Sequence, residues 1–190
     1  MLVLICSLYT HERRCTMYLP VLLKGYLDSF KINKAREEIS TLKRPMVRER
    51  DELTLIIDSD GGNIAPALEF IEFLGTIRSR AEITSRVYNA KSMAAVVAFT
   101  ADNIEMDKDG TIDIHRGSLQ LEASDFDLGT GQISENALLQ FRKYDEILKQ
   151  ILEKYGICQS QKLMAELYGS NWLKLDADKC REHCLVNKIF

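Results

Sequence analysis

The feature that most limits what this chain can become is a short apolar run that ends abruptly at a pair of glycines. Leu53-Thr54-Leu55-Ile56-Ile57 is too brief for a core helix and reads as a buried strand. Asp58-Ser59-Asp60-Gly61-Gly62 then breaks it with turn chemistry. Asn63 can cap a helix over residues 64–78, where Ile64, Ala67, Leu68, Ile71 and Leu74 keep helical spacing. The unit repeats: residues 83–88 read as a strand and 92–101 as a buried helix rich in Ala and Val. Two short strands follow, over 104–106 and 111–114, joined by the turn Asp107-Lys108-Asp109-Gly110. A helix over 32–43 precedes the first unit, with Ala35, Ile39 and Leu42 on one face. Strand, helix, strand, helix, strand is the grammar of an α/β fold with a largely parallel sheet. In such folds the chemistry sits on loops at the carboxyl ends of the strands.

Beyond residue 115 the pattern changes. Residues 116–132 are polar and read as an extended loop or hairpin. Ser134 can start a long helix reaching Tyr155, with Ala137, Leu138, Phe141, Tyr144, Ile147, Leu148, Ile151, Leu152 and Tyr155 forming a broad apolar stripe. Shorter helices are expected over 159–168 and 176–182. The chain has 190 residues, of which 46% are hydrophobic and 28% charged, enough for one packed domain and too ordered a composition for a disordered chain. A net charge of −3 without a basic stripe argues against nucleic acid as a partner. The longest apolar stretches fall short of the roughly 18 to 20 residues that cross a bilayer, so no membrane partner is expected. The apolar run over residues 2–6 is too short for a signal peptide and lacks a positive flank. Met17 is a second candidate start, because the pattern improves beyond Cys15-Thr16. Five cysteines (Cys6, Cys15, Cys158, Cys180, Cys184) at irregular spacing suit a reducing compartment, hence a cytoplasmic protein.

Three segments place reactive groups where strand-end loops are expected. Gly61-Gly62 either directs backbone N–H groups into a cleft or forms a plain turn. Ser92, in Ala90-Lys91-Ser92-Met93-Ala94-Ala95, is either a helix N-cap or a nucleophile beside the positive end of the helix dipole. His115 ends Ile112-Asp113-Ile114-His115, whereas His11 and His183 lie in poorer contexts. Each piece alone has an ordinary structural explanation; their order along the chain is what carries information.

Together, Ile57-Asp58-Ser59-Asp60-Gly61-Gly62, Ala90-Lys91-Ser92-Met93-Ala94-Ala95 and Ile112-Asp113-Ile114-His115 resemble the proteolytic subunit of the Clp protease, a serine peptidase family. The resemblance covers about Leu53 to Ile189 and includes a closing Leu185-Val186-Asn187 similar to that family's Leu-Val-Asp ending. It implies an α/β fold of the ClpP and crotonase-like type, a spiral core of repeated β-β-α units with a long handle helix. Residues 53–190 would be the peptidase core, and 1–52 an N-terminal segment with the first helix and strand of the same single domain. Ser92 would be the nucleophile and His115 its general base. The backbone N–H groups of Gly61, Gly62 and Met93 would form the oxyanion hole. The resemblance also implies hydrolysis of unfolded protein or peptide inside a homo-oligomeric ring, fed by an AAA+ unfoldase. It implies no cofactor or metal in this chain.

The chain departs from the family where the third triad member is expected. Tyr168-Gly169-Ser170-Asn171-Trp172-Leu173 contains no acid, which leaves Asn171 as first candidate to hold the imidazole and Ser170 as second. Asp176 lies nearby but reads as a helix cap. Asp60 stands where the family has Pro, Tyr88 where it has Gly, and Arg116-Gly117 replaces Gln-Pro. Lys91 raises the alternative of a Ser–Lys dyad, although adjacent residues seldom face one another. Cys180, His183 and Cys184 share a helix face and suit either packing or zinc, for which a fourth ligand is wanting. Two other readings stay open. One is a ring component of the same fold without turnover; the other is a crotonase-fold enzyme acting on an acyl-coenzyme A.

Overall fold

The computed structural model describes residues 3–6, 15–41, 51–115, 133–155 and 172–190. Its centre is a seven-stranded sheet. Strands β1 (Val3–Cys6), β2 (Cys15–Leu27), β3 (Asp51–Gly62), β4 (Ala81–Lys91), β5 (Asn103–His115) and β6 (Trp172–Asp176) lie side by side in chain order, and β7 (Lys188–Ile189) pairs with β5. β2 through β5 are mutually parallel, while β1 and β6 are antiparallel to their neighbours. Parallel neighbours need a crossover, and α1 (Ser29–Ser40), α2 (Ile64–Ile77) and α3 (Met93–Phe99) supply one each. Because strand order follows chain order, crossovers of one hand place successive helices side by side, and α2 indeed packs on both α1 and α3.

The core lies between the sheet and these helices. Leu19, Val21 and Leu23 of β2, Leu53, Leu55 and Ile57 of β3, and Ile32, Ala35 and Ile39 of α1 are all buried. Leu22 and Tyr26 on the alternate positions of β2 are exposed, as the two-residue period of a strand requires. All seven residues of α3 are buried, which accounts for its composition: a helix apolar all round belongs inside. Its alanines allow close approach to β3 and β4. A long fourth helix, α4 (Glu135–Tyr155), packs on α2 and α3 through Tyr144 and the half-buried Ile147. A last short helix, α5 (Ala177–Glu182), follows β6.

Several expectations need correction. The strand expected over 53–57 extends through both glycines to Gly62, because β2 continues to pair beside it as far as Leu27↔Gly62. α1 begins at Ser29 rather than at 32, since the Asp28 side chain accepts the Lys31 N–H and so caps an earlier turn. The two strands expected at 104–106 and 111–114 are one strand. The register jumps from Val87↔Met106 to Asn89↔Thr111, so the Asp107-Gly110 turn survives as an irregularity within β5. Asn63 occupies the N-cap position of α2 without a side-chain cap bond; its Oδ1 accepts the Tyr26 hydroxyl instead, at 2.6 Å. The strand implied without bounds within residues 1–52 is two strands, β1 and β2, while β6 and β7 were not anticipated. On α4, Ala137 and Tyr144 are buried as expected, but Leu138 is 38% exposed. Among the described residues, no helix is long and apolar enough to cross a membrane. The polar stretch 116–132 and the helix expected over 159–168 lie outside the described residues.

Candidate active site

β3, β4 and β5 run parallel, so their carboxyl ends meet at one edge of the sheet: Gly62, Lys91 and His115. At that edge the chain leaves β4 through Ser92, whose backbone has φ 52° and ψ −124°. A non-glycine residue in that region is strained, at a cost of about 1–3 kcal/mol. The ordinary alternative for a serine before a helix is an N-cap, yet the Ser92 side chain makes no cap hydrogen bond. A sharp strand-to-helix turn of this kind aims a serine hydroxyl outward from the sheet edge.

The surroundings hold the turn in place. The Ser92 N–H donates to the Asp113 carbonyl at 2.8 Å, and the Ser92 carbonyl accepts from the N–H groups of Ala95 and Val96. Gly61 (φ +102°) packs directly on it: a Cβ there would lie 2.8 Å from both the Lys91 carbonyl oxygen and the Ser92 Cβ, and 3.4 Å from the Met93 nitrogen. A Cβ on Gly62 would lie 2.2 Å from the Leu27 carbonyl oxygen. Both glycines are therefore demanded by close backbone approach, and the plain-turn explanation is insufficient.

The structure thus brings Gly61, Ser92 and Met93 together, and one expected oxyanion donor is already engaged. The Gly61 N–H donates to Ser59 Oγ at 3.1 Å, while that buried hydroxyl donates to the Gly25 carbonyl at 2.5 Å. Ser59, two residues before Gly61 on β3, is a brace that the sequence did not reveal. Gly62 and Met93 remain as candidate donors, the latter in the first turn of a helix, where N–H groups have no intrahelical acceptor.

His115 is the final residue of β5 and pairs with Trp172 in the β5–β6 ladder. Its carbonyl accepts the Tyr144 hydroxyl at 2.7 Å. Tyr144 is 1% exposed, and burial holds its phenol protonated far above the usual range. Helix α4 therefore grips the strand end that carries the imidazole, a contact invisible in an apolar stripe. Asp113, two residues earlier on the same strand, is 4% exposed, and its Oδ1 has no hydrogen-bond partner among the described residues. Asn171 and Ser170 lie outside the described residues.

Lys91 is not suited to act as a base. Its ammonium is 2.7 Å from Asp60 Oδ1, and that hydrogen bond raises its pKa. The same contact lowers the Asp60 pKa, with a smaller contribution from Asn89. Both shifts favour the charged forms. Cys180 is buried, which pushes its thiol up to about 12, and His183 is buried beside it in sequence. Among the described residues, no group of three or more His, Cys, Asp or Glu is arranged to hold a metal ion. Asp176 does cap α5, its side chain accepting the Lys179 N–H at 2.8 Å.

No protein-family model matches the chain, and no curated protein sequence matches it. A solved structure does: the ClpP protease catalytic domain from Plasmodium falciparum superposes with a TM-score of 0.66 at 11% identity, covering 90% of this chain and 84% of that one. The fold of this chain is that of a ClpP protease catalytic domain.

Proposed function

We propose that the chain is a serine-type endopeptidase of the Clp type. Ser92 is the nucleophile, His115 the general base that later protonates the leaving amine, and Asn171 the group that holds the imidazole. The N–H groups of Gly62 and Met93 stabilise the tetrahedral oxyanion, a contribution of about 10² to 10³ in rate for each donor. Gly61 serves by having no side chain, so that carbonyl and nucleophile approach one another. The observation that carries this reading is the Ser92 backbone: a strained turn whose side chain makes no capping bond, packed on a glycine that nothing larger could replace. The fold likeness supports the same chemistry. In this reading the substrate is unfolded polypeptide, the long helix α4 is the handle of a spiral β-β-α core, and copies assemble into a ring served by an unfoldase in the cytoplasm.

A second reading is a ring component without turnover, favoured by the lack of an acid in Tyr168-Gly169-Ser170-Asn171-Trp172-Leu173. Intact-mass labelling with a fluorophosphonate separates the two. A single adduct on the wild type, absent from Ser92→Ala and His115→Ala, is expected for the peptidase. An assembled but unlabelled wild type assigns the chain to the scaffold role.

A further inference from the structure

Asp113 is the one buried carboxylate at the strand-end site, and the reaction outlined above leaves it without a role. It is 4% exposed, and its Oδ1 has no hydrogen-bond partner among the described residues. A buried carboxylate oxygen without a hydrogen bond destabilises the fold, and the electrostatic influence of Lys91 does not supply that bond, so its presence calls for a compensating use. Thr111 to His115 pair in regular register with β6, from Thr111↔Asp176 to His115↔Trp172. Side chains alternate along such a ladder, which puts Asp113 and His115 in adjacent positions on one face. The Asp113 carbonyl also holds the Ser92 N–H, so this residue is tied to nucleophile and base together.

The cations in register with Asp113 do not neutralise it by hydrogen bonding. Lys91, its partner on β4, has its ammonium on Asp60, and Lys174, its partner on β6, is exposed. The next cation to form on that face during acyl transfer is the imidazolium of His115.

We propose that Asp113 is the acid of this site, a positioning residue that orients His115 and stabilises its protonated form; this rests on the peptidase reading above, in which Asp113 takes over from Asn171 the holding of the imidazole. As Ser92 Oγ bonds to the substrate carbonyl carbon, its proton passes to His115, and the positive charge forms beside the Asp113 carboxylate. The proton then goes to the amine nitrogen as the C–N bond breaks. Asp113 takes no proton at any stage. The acid missing after the long helix is thereby supplied from the histidine's own strand.

The test follows fluorophosphonate labelling against probe concentration for wild type, Asp113→Asn and Ser92→Ala, alongside urea unfolding. For Asp113→Asn the limiting labelling rate is expected to fall at least ten-fold, with the half-saturating concentration within two-fold of wild type. The unfolding midpoint should be unchanged or higher, because the amide is cheaper to bury than an orphan carboxylate. Wild-type labelling in folded Asp113→Asn overturns the inference alone. A lower midpoint, or failure to fold, assigns Asp113 a structural role and also overturns it. Absence of a Ser92-dependent adduct on the wild type removes the peptidase reading, and the inference falls with it.

Discussion

Two non-glycine residues among those described have positive φ, Ser92 at 52° and Cys184 at 55°, and they arise for opposite reasons. Cys184 follows the last turn of α5. Its N–H donates to the Arg181 carbonyl, and the next N–H, from Leu185, reaches back to the Cys180 carbonyl at 2.8 Å. That pair of bonds is the common left-handed ending of a helix, and Leu185 and Cys180 are both buried in the core there. The strain at Cys184 is thus repaid locally, by hydrogen bonds within a few residues. Ser92 begins a helix instead: its carbonyl accepts the first helical N–H groups, from Ala95 and Val96, but its own N–H is held by Asp113 and its turn packs on Gly61, both on other strands. Strain held by distant parts of a fold points toward function, whereas strain resolved by the adjacent turn is a folding device.

This contrast can be broken experimentally. The largest effect is expected for Ser92→Gly: fluorophosphonate labelling disappears, while the unfolding free energy rises by about 1 kcal/mol as the turn relaxes. A loss of stability in that variant would show that the turn is not strained. Next comes Gly61→Ala, whose Cβ meets Lys91 and Ser92 backbone and side-chain atoms at 2.8 Å in a positive-φ position. Overpacking and backbone strain together should cost about 3 kcal/mol in urea unfolding. A cost below about 1 kcal/mol would mean the two strand ends are loosely packed. Tyr144→Phe removes the hydroxyl that holds the His115 carbonyl but keeps the ring. We expect about 1–2 kcal/mol of destabilisation and a several-fold slower labelling reaction; unchanged labelling would detach α4 from the site. Smallest is Cys184→Gly, which should stabilise by about 1 kcal/mol and leave labelling untouched, since its φ suits glycine and its role ends with the helix.

Parts of the chain were legible because their signals are local. The apolar run before Gly61-Gly62, the spacing in Ile64–Ile77 and the all-apolar Met93–Phe99 each declare an element within a dozen residues. β2 escaped because Pro20 and the exposed Leu22 blur its alternation, although Leu19, Val21 and Leu23 are its buried face. β6 and β7 are so short that only pairing with β5 makes them strands. Asp113 illustrates the harder failure. Ile112-Asp113-Ile114 reads as a half-exposed strand with the acid in water, but the folded chain buries that acid too. Nothing in the residue itself distinguishes the two outcomes.

The amino-acid order alone determined the α/β grammar, the succession of glycine pair, serine and histidine at strand ends, and the likeness to the Clp proteolytic subunit. These follow from hydrophobic periodicity and turn chemistry, which act over a few residues. Tertiary structure decided which N–H groups are already engaged, that Ser92 does not cap its helix, and that Tyr144 grips His115. It also decided that Asp113, two residues before His115 on β5, is buried. Each of these depends on what a distant strand or helix places against the residue, and hydrogen bonding and burial are properties of that neighbourhood rather than of the local sequence.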